Sequence, residues 1–201
     1  MKKMTFKALA TFALSTCVMA ASVPYSLGVK ADFQGYSNLH DFQGSVDSSE
    51  QNLIAEDGKL PSFEVHVPVK EMQTGNSGRD RNMYSMFQSQ DFPEIVASFT
   101  SLDLEKLKDA SESGIDFDLK IRGVTHAIHA EVLEWKEAKE EISFDLNFEV
   151  SLKEMELKAP TAMFGMVRVK DTVNLTTHFL LKTSRLEQLK MKLNQQMGGE
   201  E

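Results

Sequence analysis

The chain has 201 residues, 41% of them hydrophobic, with 22 Lys and Arg against 30 Asp and Glu. This length fits one domain of ordinary size, and the apolar fraction is too high for a disordered chain and too low for a polytopic membrane protein. The formal net charge of -8 argues against a general nucleic-acid binder, which needs clustered Lys and Arg to meet phosphates. Composition therefore predicts a compact, acidic domain that binds no nucleic acid.

Residues 1–21 are predicted to be a secretory signal peptide. Three lysines among the first seven residues are followed by an apolar run over residues 8–20, which is shorter than the roughly 20 apolar residues of a transmembrane helix. Val18 and Ala20 occupy the -3 and -1 positions of a small-residue cleavage site. We therefore expect a periplasmic or secreted mature chain with no transmembrane segment.

Cys17 is the only cysteine of the chain, so a mature protein cleaved after it has no disulfide, no thiolate nucleophile and no cysteine metal site. One alternative is a lipoprotein anchored at Cys17, because Leu14-Ser15-Thr16-Cys17 loosely resembles a lipoprotein signal. Thr16 is a poor residue before such a cysteine, which favours the cleaved signal peptide. Losing three lysines changes the net charge from -8 to -11, which disfavours firm binding to anionic membranes.

Most of the remaining chain alternates apolar and polar residues with a period of two, the pattern of half-buried strands. Residues 142–152 alternate most clearly, and residues 115–122 and 63–69 repeat the pattern. Pro68 stands on the polar side of its segment, which indicates an edge strand or a bulge. Weaker alternation covers residues 29–33, 95–99, 127–132, 167–169 and 173–181.

About eight strands with one apolar face each predict an all-β fold with an antiparallel sheet, closed into a barrel or folded into a sandwich. One or two short helices are expected, over residues 102–110 and in the tail at 185–191. The polar segment 47–57 is predicted to be a connection. Residues 74–82 contain Gly and Asn at turn-forming positions and are predicted to form a structured loop held in place by Arg79 and Asp80.

Three side-chain patterns contain residue types that occur in reactive sites. The glycine-rich loop with Arg79 lacks the spacing of a phosphate-binding loop. His126 and His129 are three apart on a predicted strand, so they face opposite sides and cannot share one metal ion. His40 and Asp41 lack the G-x-S-x-G elbow of a serine hydrolase. We therefore predict no catalytic residues and no metal site.

The apolar faces of the strands have two interpretations. An eight-stranded barrel is wide enough either to be filled by side chains or to enclose one small ligand. Eight Met and eleven Phe follow residue 21, and such side chains can either pack a core or line an adaptable apolar cavity. Periodicity alone leaves both open for the inward phenylalanines, which are Phe63, Phe99, Phe117, Phe144, Phe148 and Phe179.

Four motifs follow one another between residues 29 and 182. They are Ser37-Asn38-Leu39-His40-Asp41; Thr74-Gly75-Asn76 with Arg79-Asp80, then Phe92-Pro93-Glu94-Ile95 and Phe99; Leu119-Lys120-Ile121-Arg122-Gly123-Val124-Thr125; and Phe148-Glu149-Val150-Ser151-Leu152 with Ala159-Pro160, then Val169-Lys170-Asp171-Thr172-Val173-Asn174-Leu175. In this order they resemble the motifs of the YceI-like family, the polyisoprenoid-binding proteins. The chain departs from that pattern at His126-Ala127, where the family often has a basic residue and proline, and at residues 102–110, which resemble a local insertion.

The resemblance implies a lipocalin-like barrel over residues 27–182. The residue pattern at 185–191 predicts that the tail at 183–201 is partly helical. It implies an exported, non-enzymatic protein that carries or stores a long apolar lipid, a polyisoprenoid or an isoprenoid quinone, with no other cofactor. The alternative is a structural or protein-interaction barrel of the cell envelope with a side-chain-filled core. The oligomeric state stays open, with a homodimer as one option.

The residues expected to line the lipid site come from the inward faces of the strands and from the apolar cluster after the loop. Met83, Met86 and Phe87 are expected to form a lid over the mouth of the barrel. The expected strand residues are Val65, Val67, Phe99, Phe117, Leu119, Ile121, Phe144, Leu146 and Phe148.

Overall fold

The computed structural model describes residues 22–110 and 114–183. The predicted signal peptide and almost all of the predicted tail lie outside these described residues. The strands are β1 (Ser22–Ser37), β2 (Phe42–Asp47), β3 (Gln51–Glu56), β4 (Lys59–Leu60), β5 (Phe63–Pro68), β6 (Glu94–Phe99), β7 (Leu102–Asp103), β8 (Ile115–Ile121), β9 (Val124–Ala138), β10 (Glu141–Ser151), β11 (Thr161–Ala162) and β12 (Val167–Thr183). The helices are α1 (Ser77–Met86) and α2 (Leu104–Lys108), with short 3-10 turns at Val69–Glu71 and Met163–Gly165.

The strands form because their side chains alternate between the two faces of one curled antiparallel sheet. In β8, Phe117, Leu119 and Ile121 are buried, whereas Asp118 and Lys120 are exposed. In β10, every second residue from Ile142 to Val150 is buried. The all-β antiparallel fold predicted from the sequence is therefore confirmed.

The hydrogen-bonded order of the strands is β5-β6-β8-β9-β10-β12-β1-β3-β4-β7, with β2 beside β1 and β11 beside β12. β5 stands at one end of this order, which agrees with Pro68 marking an edge strand. Across the gap next to β5, the Gln51 side-chain amide donates to the Glu64 carbonyl oxygen at 2.9 Å. Ser45 and Gln73 also exchange backbone hydrogen bonds of 2.9 and 3.0 Å. The sheet thereby curls into a barrel with a seam along β5.

One prediction about the first half of the chain was wrong, and a neighbouring strand was not foreseen. Residues 47–57, predicted as a connection, contain β3, in which Leu53 and Ala55 are buried and the residues between them are exposed. The strand was missed because its apolar pattern is weak: exposed Ile54 lies between the two inward residues. β3 forms because it pairs with the first half of β1, from Ser22↔Glu56 to Leu27↔Gln51. β2, also unforeseen, pairs with the second half of β1.

Residues 74–82, predicted as a loop, end in the first turn and a half of α1. The Asn76 side chain caps this helix, because its Oδ1 accepts hydrogen bonds from the Gly78 and Arg79 amides, both at 3.0 Å. The glycines obscured this helix start in the sequence. The short helix predicted within residues 102–110 is confirmed as α2, and the segments 167–169 and 173–181 belong to one strand, β12.

One end of the barrel, here called the base, is closed by α2 together with β4 and β7. Leu60, Leu102, Leu104 and Leu107 from these elements are all buried. Asp103 caps α2 by accepting a hydrogen bond from the Lys106 amide at 3.3 Å. The base is therefore a packed hydrophobic plug, and any opening of the barrel must lie at its other end.

The outer face of the sheet carries a polar link across three strands. His178 on β12 lies 2.8 Å from a carboxylate oxygen of Asp145 on β10 and 3.1 Å from one of Asp32 on β1. Burial tends to raise the pKa of Asp32, but hydrogen bonds from Lys30 and His178 outweigh this and hold the pKa below its usual value.

Within the described residues, no helix is long and apolar enough to cross a membrane.

Candidate functional site

The barrel contains a cavity of about 720 Å³. Its walls are built from the inward side chains of the strands, so the alternation that forms the sheet also makes the cavity apolar. The lining residues that are exposed to solvent all lie at the end opposite the base: Leu39, His40, Asn76, Arg81, Asn82 and Thr161. This end, bordered by residues 38–41, α1 and the β11–β12 turn, is called the mouth.

The floor of the cavity is a cluster of aromatic rings. Phe99 stacks against Phe63 and Phe117 with ring centroids 5.0 and 4.9 Å apart. Phe117 meets Phe148 edge to face at 5.3 Å, and Phe99 meets Phe179 in the same way at 5.6 Å. Such aromatic pairs add to the burial energy of each ring. The lower half of the barrel is therefore filled, and the upper half is hollow.

Ten of the twelve residues predicted to line a lipid site lie on the wall of this cavity. They are Val65, Val67, Met83, Met86, Phe87, Phe99, Phe117, Leu119, Ile121 and Phe148. Met83 and Met86 belong to α1 and Phe87 caps its end, so the expected lid residues are helix side chains beside the mouth. Their contact with a ligand stays a prediction.

Phe144 and Leu146 lie away from the cavity wall, contrary to the expected lining. Phe144 is 1% exposed and stacks between Phe179 and Trp135, with centroids 4.9 and 5.7 Å away. Leu146 is fully buried at 0% exposure. Both point inward as the alternation predicts, but they are part of the filled lower half of the barrel.

Further lining residues were not among those expected for the lipid site. Val173, Leu175 and Phe179 line the cavity from β12, and the alternation over 173–181 was a signal that could have identified them. Met155 and Leu157 line it from the turn after β10, where no periodic pattern exists. Other unforeseen lining residues are Val29, Ala31, Phe33, Val46, Met72, Ile95, Ala97, Val150, Leu152, Val167 and Val169.

The segment before α1 is held by Asp80 and Tyr84. The Asp80 carboxylate accepts hydrogen bonds from the Thr74 amide at 2.9 Å and the Thr74 hydroxyl at 2.6 Å. The Tyr84 hydroxyl donates to the Met72 carbonyl oxygen at 2.8 Å. Burial raises the pKa of Tyr84, and the nearby Asp80 charge adds to this rise. These contacts agree with the predicted positioning role of Asp80.

Arg79 and Arg81 bring positive charge to the mouth. The Arg79 guanidinium carbon lies 4.8 Å from the centre of the Phe42 ring, within the range of a cation–π contact. Arg79 is half-buried and Arg81 is exposed, and both border the cavity. The mouth therefore combines an apolar interior with two cationic side chains at its edge.

Exposed apolar side chains flank the same opening. Leu39, in the turn between β1 and β2, is 65% exposed, and Met166, just before β12, is 64% exposed. Asn38 joins the two turns, because its side-chain amide donates to the Met166 carbonyl oxygen and its Oδ1 accepts from the Arg168 amide, both at 2.8 Å. The two turns thus form one connected edge of the mouth.

His126 and His129 face opposite sides of β9, as predicted. His126 shares the inward face with Ile128, whereas His129 is exposed and lies 2.7 Å from an Asp116 carboxylate oxygen. Among the described residues, no group of three or more potential metal ligands comes together.

The family model of the YceI-like domain matches residues 19–181 of the chain. A polyisoprenoid binding domain from Saccharophagus degradans implicated in plant cell wall breakdown has a TM-score of 0.55 and 12% identity, covering 81% of this chain and 99% of its own. BcnA from Burkholderia cenocepacia has a TM-score of 0.53 and 12% identity, covering 76% and 95%. At these identities the solved structures show a shared fold alone. The sequence matches no curated protein.

Proposed function

Because this chain belongs to the YceI-like family, we propose that it binds one long apolar lipid, a polyisoprenoid or an isoprenoid quinone, inside its barrel. The observation that carries this proposal is the cavity of about 720 Å³ enclosed by inward apolar side chains. Ligand sites of about 300–1,000 Å³ are typical for one small molecule. The polyisoprenoid binding domain of Saccharophagus degradans, which shares the fold, supports the isoprenoid class.

A lipid of this size would bind firmly. A ligand of about 30 carbon atoms, held at about 0.3 kcal/mol per atom, gains about 9 kcal/mol, which corresponds to a sub-micromolar Kd. Methionines such as Met72, Met83 and Met155 line the cavity, and their flexible side chains can adapt to a bent or branched chain. Such a complex should survive ordinary chromatography.

The proposed role is carriage or storage without chemical change. Acid–base catalysis needs a titratable group positioned against a reacting atom. The deep walls and floor of the cavity are instead formed by hydrocarbon and thioether side chains, apart from Thr177, whose hydroxyl donates to the Leu146 carbonyl oxygen at 3.4 Å. His40 lies in an exposed turn at the mouth. This arrangement favours a binding protein over an enzyme.

The proposed site of action is outside the cytoplasm. In support, three lysines, an apolar run and the small residues Val18 and Ala20 form the pattern of a cleavable signal peptide. Protein isolated from its native host should begin at Ala21 or Ser22, as measured by N-terminal sequencing. A lipid-modified Cys17 would support the lipoprotein alternative, and a majority of exported chains starting at Met1 would contradict both.

The lipid-binding proposal is tested by filling the cavity. Ala97 lines the cavity from β6, and its neighbour Ser98 faces the outside, where its hydroxyl donates to Glu64. Ala97→Phe should reduce the amount of co-purified lipid several-fold, because the added ring occupies the cavity. Ser98→Phe adds the same ring on the outside of the barrel and should leave the amount of co-purified lipid unchanged. Organic extraction with mass spectrometry measures the lipid, and circular dichroism confirms that both variants fold.

Native mass spectrometry of the folded wild-type protein decides between the two leading functions. A bound apolar mass that disappears in Ala97→Phe supports the lipid carrier. If wild-type protein from a lipid-replete host carries no apolar ligand and binds no added lipid, the lipid-carrier proposal is wrong. The structural or protein-interaction barrel is then the better interpretation.

A further inference from the structure

The charged residues at the cavity wall are all of one sign. Arg79 and Arg81 line the cavity, and no Asp, Glu or Lys is among its described lining residues. The chain as a whole has the opposite balance, with 30 acidic against 22 basic residues. The charged side chains that line the cavity therefore have the opposite sign to the net charge of the chain.

Neither guanidinium is neutralised by a neighbouring carboxylate. Among the ion pairs formed by the described residues, none involves Arg79 or Arg81. Asp80 stands between them in sequence, but its Oδ1 accepts hydrogen bonds from the amide and hydroxyl of Thr74, and its carboxylate forms no ion pair with either arginine. Asp41 is exposed and lies outside the cavity lining. The two arginines therefore keep their charge available to a ligand.

Several other donors near the mouth already have a partner within the protein. The Asn76 side chain accepts from the Gly78 and Arg79 amides, so these amides at the start of α1 have a partner within the protein. The Ser37 hydroxyl donates to the His40 carbonyl oxygen at 2.6 Å. The Arg79 guanidinium, held over the Phe42 ring, and the exposed Arg81 guanidinium are the two guanidinium donors of the cavity lining. Guanidinium groups match the planar oxygens of carboxylates and phosphates.

We propose that the mouth selects single-chain lipids with an anionic oxygen headgroup, a phosphate or a carboxylate, which binds Arg79 and Arg81 while the chain fills the barrel. This inference rests on the proposed lipid binding and adds the headgroup class to it. The alternative within the same function is a neutral lipid held by its chain alone.

The test compares lipids that share a chain and differ in the headgroup. Delipidated full-length mature protein is titrated with geranylgeranyl phosphate and geranylgeraniol, and with palmitate and hexadecanol. We expect the wild-type protein to bind at least one anionic lipid about tenfold or more tightly than its alcohol, the gain expected from one charge-assisted hydrogen bond. For each pair, the affinity of the anionic lipid is divided by the affinity of its alcohol. A larger ratio for the phosphate pair indicates a phosphate headgroup, and a larger ratio for the palmitate pair indicates a carboxylate.

The matched variants are Arg79→Gln/Arg81→Gln and Lys170→Gln. Lys170 is an exposed cation beside the Tyr36 ring and does not line the cavity. The double variant should lose the preference for the anionic lipid and keep its affinity for the alcohol, which also shows that the barrel is folded. Lys170→Gln should keep the preference.

Different outcomes of this test would contradict the headgroup assignment and the lipid-binding proposal. Equal binding of anionic lipid and alcohol by the wild-type protein would overturn the headgroup assignment and leave lipid binding intact. If Lys170→Gln lost the preference for the anionic lipid as fully as the double arginine variant, the headgroup assignment would also be overturned. The preference would then come from the overall charge of the protein. Failure to bind any of the four probes would instead overturn the proposed function itself.

Discussion

Two glycines on neighbouring strands determine how the β1–β2 hairpin packs. Gly44 lies opposite Phe33, and Gly35 lies opposite Phe42, so each aromatic ring covers the glycine across from it. A Cβ atom at Gly44 would overlap the Phe33 ring and lie 2.6 Å from the Gln73 carbonyl oxygen. Phe33 lines the cavity and Phe42 supports Arg79. The glycines therefore give both rings the space that the mouth requires.

Gly44→Ala should lower the free energy of unfolding by about 1–3 kcal/mol, because the added methyl must displace a ring and a backbone oxygen. Gly28→Ala is the matched control, since its Cβ would meet no heavy atom closer than 4.0 Å. That change should leave stability unaltered or raise it by about 0.4–1 kcal/mol through the unfolded state. Urea denaturation of both variants measures the difference. Equal stability of the two would refute the close packing over Gly44.

A bulge in β9 redirects the side chains of that strand. Ser143 pairs with Lys136 and Asp145 with Leu133, so Glu134 and Trp135 together face one residue of β10. Before the bulge the even-numbered residues point inward, whereas within the bulge the odd-numbered Trp135 packs against Phe144. Glu134 adopts a positive φ of 53°, a conformation that costs a residue with a Cβ atom energy. The bulge therefore adds an aromatic ring to the core at the expense of local strain.

Glu134→Gly should raise the free energy of unfolding by about 0.5–1 kcal/mol, because glycine adopts positive φ without strain. The exposed ion pair with Lys136 is lost, but such pairs contribute little. Glu131→Gly, an exposed change in the regular part of the same strand, should lower stability by about 1 kcal/mol. Thermal and urea unfolding compare the two, and a loss at both positions would show that Glu134 is not strained.

Over the whole molecule, the barrel divides into a packed half and a hollow half. The packed half consists of the plug at the base and the aromatic cluster, in which Phe63, Phe99 and Phe117 stack in series. The hollow half lacks those contacts, so its lining gains less dispersion energy than a filled core would. The packed half supplies stability, while the hollow half is kept open for a guest.

Ala97→Phe should therefore raise the free energy of unfolding of the lipid-free protein by about 1 kcal/mol, as cavity-filling changes commonly do. In the wild-type protein, a lipid at 100 times its Kd should add about 2.7 kcal/mol. In Ala97→Phe this lipid-dependent gain should largely disappear. Thermal melts with and without added lipid measure both effects. An undiminished gain in Ala97→Phe would place the lipid outside the cavity.

The strands and their faces were determined by the sequence, because alternation with a period of two is a local property. It identified β8 and β10 and placed Phe117 inward and Asp118 outward, as observed. Ten of the residues selected for the lipid site lie on the cavity wall for the same reason. The motif order also indicated the family, which the match over residues 19–181 shows.

The tertiary structure alone decided which inward residues face a cavity and which fill a core. Phe144 and Phe148 have the same alternation on one strand, yet Phe148 lines the cavity and Phe144 stacks on Phe179. The difference arises from position along the strand: Phe144 lies nearer the base, where rings from β9 and β12 pack against it. β3 likewise depends on pairing with β1, and α1 on its cap at Asn76. A repeating local pattern specifies the face of a strand, but whether that face meets other side chains or empty space depends on contacts between distant segments.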